Sequence, residues 1–189
     1  MNTCSVQVME RKRPIRLKAM QSLVLPLGTS QDWLRIGVQK GVLRLATLQH
    51  DSQAEATLAL MSPTECGIFR RPRNYQLFIE AITDICVEIS QEPIPALDEE
   101  DFLAEWLFAL HIVRHPAKAD ERLTALIKLL IERFGKRSSK GFQLEFTLSH
   151  HRIAEIIGTT RSTVSRAISR MRSKEMLEID EPSNSLTWH

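Results

Sequence analysis

Uninterrupted apolar stretches are missing from this 189-residue chain: charge breaks every candidate within a few turns, so no membrane-crossing helix is expected. The opening segment holds Glu10, Arg11, Lys12, Arg13, Arg16 and Lys18 where a secretory leader would need an apolar middle, which makes the cytosol the expected compartment. Cysteine is scarce. Cys4, Cys66 and Cys86 are far apart and odd in number, offering neither a disulfide framework nor a paired metal knuckle, and they read as idle or buried thiols. Neighbouring His150 and His151 would point about 100° apart on a helix and could not readily share a metal. Nucleophile motifs, phosphate loops and clusters of metal ligands are absent as well, so an enzyme is not expected. Excess charge is also lacking: at +2 net, the chain is no uniformly basic coat for a polyanion.

The charge that is present is unevenly placed. Residues 84–105 hold eight acidic side chains and no basic one, whereas residues 158–174 hold Arg161, Arg166, Arg170, Arg172 and Lys174 and no acidic one. A polyanion would meet the second stretch and avoid the first.

β-rich or alternating runs occupy 23–27, 33–38, 42–48, 56–61, 75–82 and 85–89, separated by Gly28, Gly37, Gly41, Pro63 with Gly67, and Pro72 with Asn74. Short strands at such spacing suggest a small antiparallel barrel or sandwich, ended by Pro93 and Pro95. A helix over 98–115 should follow, with Asp98, Glu99, Glu100 and Asp101 in its first turn, where the helix dipole favours carboxylates. Its stripe of Phe102, Leu103, Trp106, Leu107, Leu110 and Val113 is broader than packing on a small barrel requires, and it predicts a dimer seam between two copies. Core packing against the barrel is the competing reading. Pro116 breaks this helix, 117–120 forms a hinge, and a second amphipathic helix over 120–134 ends at Gly135. A polar loop at 136–141 and a strand at 142–147 come next.

From Ser149 the chain reads SHHRIAEIIGTTRSTVSRAISRMRSKEM. Ser149 suits the cap of a helix carrying Ile153, Ala154, Ile156 and Ile157; Gly158 gives the turn; and Thr160 caps a helix whose Val164, Ile168 and Met171 face inward. Small Ala154, Gly158 four later and branched Val164 six beyond form the spacing of a helix-turn-helix. Ser162, Ser165, Arg166 and Ser169 should then face outward, with Arg161 at the helix start. Short hydroxyls between arginines suit a major groove, where arginine reaches guanine in bidentate fashion. Strands at 176–180 and 186–188, with 142–147, would make a small wing.

On these residues the chain resembles the Crp/Fnr family, that of the cyclic-AMP receptor protein and the fumarate–nitrate regulator. DERLTALIKLLIERFG and LSHHRIAEIIGTTRSTVSRAISRMRSKEM look particularly like the nitrogen-control regulators of cyanobacteria. The resemblance implies an α+β chain: a reduced antiparallel β-barrel of the cyclic-nucleotide-binding, jelly-roll kind over 1–95, a dimerisation helix and hinge over 96–118, and a winged helix-turn-helix over 119–189. It implies that Arg161, Ser162 and Arg166 face bases and that Thr163 and Ser165 face phosphate or groove wall, while Ser149, His150 and Lys174 join Thr163 as phosphate contacts. Members that read the commonest target carry glutamate where Ser162 stands.

The barrel departs from the family. Its segment ECGIFRRPRNYQLFIEA keeps Gly67 but lacks the Gly-Glu-Leu run and the Arg-Ser/Thr-Ala step that grip a cyclic nucleotide, so cyclic AMP is not the expected ligand. The iron–sulfur branch needs four cysteines where three exist, and no haem-ligand pair stands out. No cofactor is therefore expected. An unidentified anionic effector, a 2-oxo acid for instance, could meet Arg70, Arg71 and Arg73, or the barrel binds nothing and only supports the dimer. The expected partners are duplex DNA, a second copy and RNA polymerase. The alternative function is a protein-interaction module built on the acidic segment and the long helix.

Overall fold

The computed structural model describes residues 14–25, 33–48, 54–63, 65–72, 75–92, 101–139 and 141–189. Cys4, Gly28, Arg73, Pro93, Pro95, Asp98, Glu99 and Glu100 lie outside the described residues.

Among the described residues the first elements are eight strands: β1 (Ile15–Leu17), β2 (Ser22–Val24), β3 (Trp33–Lys40), β4 (Leu43–Leu48), β5 (Glu55–Met61), β6 (Cys66–Arg70), β7 (Leu77–Ala81) and β8 (Ile85–Glu92). They pair antiparallel into two four-stranded sheets, ordered β1-β8-β3-β6 and β2-β7-β4-β5. β3 alternates as a strand with one solvated face should: Leu34, Ile36 and Val38 are buried while Arg35 between them is exposed. β4 does not alternate, because Leu43, Arg44, Leu45, Ala46 and Thr47 are all buried. Its sheet is covered on both faces.

All six expected strands are present with shifted ends, and two more join them, giving an antiparallel jelly roll of eight strands among the described residues. The expected turn at Gly67 is instead the middle of β6. A Cβ on Gly67 would stand 2.6 Å from Met61 Cε and 3.0 Å from Phe102 Cδ1, so glycine is there for a close helix approach and not for a turn.

That helix is α1 (Phe102–Arg114), capped by Asp101, whose carboxylate accepts from the Leu103 and Ala104 N–H groups. The expected eighteen-residue helix is thus thirteen residues long, about 20 Å, and Asp101 caps it rather than lying in its first turn. Phe102, Leu103, Trp106, Leu110 and Val113 are buried in the chain's own core, and of the six residues expected at the dimer seam only Leu107 faces outward. α1 is apolar on nearly every side, and its start packs on the barrel, with Phe102 against Gly67 of β6. Leu107, Phe108 and Ile112 remain 44%, 68% and 52% exposed.

Bends at residues 116–118 lead into α2 (Ala119–Phe134), so Ala119 and Asp120 belong to the helix and not to the hinge. The expected polar loop after it is β9 (Lys136–Ser138), paired with β10 (Gly141–Leu144). Then follow α3 (His150–Ile157), α4 (Arg161–Ser173), β11 (Leu177–Asp180) and β12 (Ser185–Trp188). The last sheet runs β11-β12-β10-β9, and with α2, α3 and α4 it forms a winged helix-turn-helix.

Glu65, just before β6, is wedged where α1 and α2 meet the barrel. Burial pushes its carboxyl up to about 6, although Arg133 at 3.4 Å draws it the other way. A raised acid favours folding below its ordinary value of 4.5, and that contribution disappears as pH climbs through about 6. Glu65→Gln is therefore expected to gain up to about 2 kcal/mol over the parent at pH 7.5 and nothing at pH 4, read from urea midpoints at the two pH values. An equal gain at both would contradict this.

Candidate nucleic-acid interface

Ser149 caps α3 by accepting from the Arg152 N–H at 3.2 Å. The helix stops at Gly158, whose left-handed backbone (φ 65°, ψ 57°) brings its N–H to the Ala154 and Glu155 carbonyls. Thr160 then caps α4, accepting from the Thr163 N–H at 3.2 Å. Val164, Ala167, Ile168 and Met171 face α3 and α2, which leaves Arg161, Ser162, Arg166 and Ser169 exposed on the far side of α4.

The cations of 158–174 do not all stay available. Arg170 forks onto Asp120 at the start of α2, with contacts of 2.6, 2.8 and 3.1 Å, and so braces α4 from behind. Arg161, Arg166, Arg172 and Lys174 are exposed and have no ion-pair partner among the described residues. Lys174 is the C-cap of α4. Thr163 is half-buried with its hydroxyl 2.9 Å from Thr160 Oγ1, so it serves the helix start. Ser165 is half-buried and, with Ser169 and Arg172 of the same helix, lines a cavity of about 410 Å³ shared with Ser149 and His150. Arg70 is exposed at the end of β6 and Arg71 half-buried just beyond it, both at a distance in sequence and element from that cavity.

Residues 121–186 match the Crp-like helix-turn-helix domain. Residues 121–186 thus carry a helix-turn-helix of the Crp kind. The global nitrogen regulator of Nostoc sp. is 40% identical over 58 residues, covering 31% of this chain and 26% of that protein. The chain thus matches about a quarter of the length of the global nitrogen regulators. The regulatory protein CysR of Synechococcus elongatus is 27% identical over 169 residues, covering 84% of this chain and 77% of its own. Among solved structures, FixK2 from Bradyrhizobium japonicum superposes with a TM-score of 0.66 at 14% identity, covering 93% and 91% of the two chains. A CooA mutant from Carboxydothermus hydrogenoformans gives 0.63 at 20% identity, covering 93% and 83%. The Crp fold therefore extends over the barrel, where sequence likeness is faint.

One cluster in this chain was not anticipated from sequence. The helix-turn-helix does not hang free of the barrel: α3 lies on the outer face of sheet β2-β7-β4-β5. Arg44 of β4 is fully buried there, donating to Thr57 at 2.7 Å, to Glu55 and Glu80 at 2.9 Å each, and to Glu155 of α3 at 3.1 Å. Arg152 of α3 meets Glu80 at 3.0 Å and also pairs with Glu55. Burial works against the Arg152 charge, yet the Glu80 and Glu55 carboxylates hold its pKa above the ordinary value. Burial likewise opposes the Glu55 charge, and Arg152 and Arg44 overcome it, setting that carboxyl below its usual range. The available signal was weak: charged residues within otherwise β-rich runs, at Arg44 and Glu80.

Proposed function

We propose that this chain acts as a homodimer on a pseudo-palindromic DNA site, reading one half-site with each copy of α4. The carrying observation is the outward face of α4. Arg161 and Arg166 stand exposed beside Ser162, no acidic side chain occurs on the helix, and Arg170 is spent on bracing it. Arg161, Ser162 and Arg166 address base edges in this reading, while Ser149, His150, Thr163, Ser165 and Lys174 address phosphate or the groove wall. The exposed trio Leu107, Phe108 and Ile112 on α1 supports a seam between protomers, placing two recognition helices in successive major grooves about 34 Å apart. Residues 1–95, 96–118 and 119–189 then serve as barrel, dimer helix with hinge, and DNA-binding unit. The missing nucleotide-gripping residues support a barrel that does not respond to cyclic AMP.

Selection of bound sequences from a random duplex pool tests this directly. Arg166→Ala should cost about 1–3 kcal/mol on the selected duplex and relax preference at one position of each half-site. Lys174→Ala should weaken binding to every duplex alike and lower the salt slope by about 1. Equal loss on selected and random duplexes for Arg166→Ala would remove it from base reading, and no enrichment in the selection would end the proposal.

A further inference from the structure

We infer that Arg152 and Glu155, on the first helix of the helix-turn-helix, are positioning residues: they seat α3 on the barrel and so fix where each protomer carries its recognition helix. The inference rests on the dimeric DNA-reading proposal above and adds to it the part that sets the geometry.

Arg152 and Glu155 are three apart and share one face of α3, the face turned from solvent: their side chains are 15% and 14% exposed. A helix-turn-helix standing alone would not bury two charges on its first helix. What receives them is built from three strands. Arg44 on β4, Glu55 and Thr57 on β5, and Glu80 on β7 form the counterpart.

Directional bonds fix the pose more narrowly than charge alone. β5 is an edge strand, and Glu155 accepts both the Thr57 backbone N–H at 2.8 Å and the Thr57 hydroxyl at 2.5 Å. Thr57 Oγ1 in turn accepts from Arg44 Nε. A second grip comes from α1. Arg114 in its last turn donates to the Ile156 carbonyl at 2.5 Å and the Glu155 carbonyl at 3.3 Å, at the C-terminal end of α3. α3 is therefore held at the sheet by its side chains and at the dimer helix by its backbone.

Buried ion networks add little net stability, because desolvation offsets attraction, but they penalise every misaligned pose in which a charge loses its partner. The docked pose leaves Ser162 and Arg166 of α4 and Ser149 of α3 exposed, so DNA can be met without undocking. Docking then acts as preorganisation: the second half-site is met at a high effective concentration, and at one spacing.

The measurement compares affinity for the full palindrome, for a single half-site, and for palindromes with one or two base pairs inserted at the centre. Glu155→Ala and, from the barrel side, Thr57→Val are each expected to weaken full-site binding by about tenfold or more, to leave half-site binding nearly unchanged, and to reduce discrimination against altered spacing. Glu155→Asp, which keeps the charge, should restore part of the lost discrimination. Thr57→Val lies outside the helix-turn-helix, so it keeps the test valid if Glu155→Ala misfolds. Parallel loss on full and half sites in Thr57→Val, or unchanged affinity and spacing preference in both variants, would overturn the inference while leaving the DNA-reading proposal intact. Parent protein that fails to favour the palindrome would sink that proposal and the inference with it.

Discussion

Leu107→Glu combined with Phe108→Glu is expected to convert the proposed dimer to single protomers and to reduce affinity for the proposed palindrome by about 10²- to 10⁴-fold, the avidity that two linked reading heads supply. Both side chains are largely exposed in the protomer, at 44% and 68%, so the substitutions remove nothing from its core and leave its own unfolding nearly unchanged. Across a two-fold seam each glutamate would meet its own copy or a neighbour of the same sign, and like charges facing one another cost several kcal/mol. Sedimentation of the variant should show one copy where the parent shows two, while circular dichroism stays the same and a single half-site still binds. Ile112→Glu, one turn further along the same face, should act in the same direction. A variant that sediments as a dimer would move the seam away from α1.

Trp106→Ala is expected to cost about 3–5 kcal/mol in unfolding free energy. The indole is 0% exposed and ties α1 to α2. It stacks on Phe134 of α2 at 5.9 Å, tilts against Phe102 at 6.5 Å, and lies under the Arg133 guanidinium at 5.2 Å. Removing it opens a void between α1 and α2. Its Nε1 has no hydrogen-bond partner among the described residues, and that orphaned donor distinguishes two variants. Trp106→Phe discards the unpaired N–H along with part of the ring, so its cost should be well under that of alanine. Urea unfolding followed by circular dichroism reads both. A small loss in Trp106→Ala would mean the helices can close over the gap.

The parts legible in the sequence were those in which one local rule decides the outcome. Ala154, Gly158 and Val164 have almost no other use at that spacing, and the caps Ser149 and Thr160 follow from the orphan N–H groups at helix starts. With Val164 and Ile168 turned inward, the helical period leaves Arg161, Ser162 and Arg166 on the outer face. The α1 seam was legible only in part. Eight large apolar residues ring that helix, and periodicity cannot say which of them meet the chain's own barrel and which meet another copy, so five of the six chosen turned out to be core. β6 was hidden for a different reason: Pro63, Gly67 and Pro72 are turn formers in isolation, and only the nearness of Phe102 explains a glycine in mid-strand. The Arg44 cluster was hidden most completely, since Arg44 and Glu155 are 111 residues apart and no short window contains them both.

That separation has a consequence for anyone recombining such regulators. A reading head grafted onto a foreign sensor half at residue 118 would arrive with Arg152 and Glu155 but without the strand residues that receive them, leaving two stranded charges beside an unprepared surface. The workable cut is therefore not a point in the chain but a contour through the fold, and a graft succeeds when Arg44, Glu55, Thr57 and Glu80 travel with the head they were shaped for.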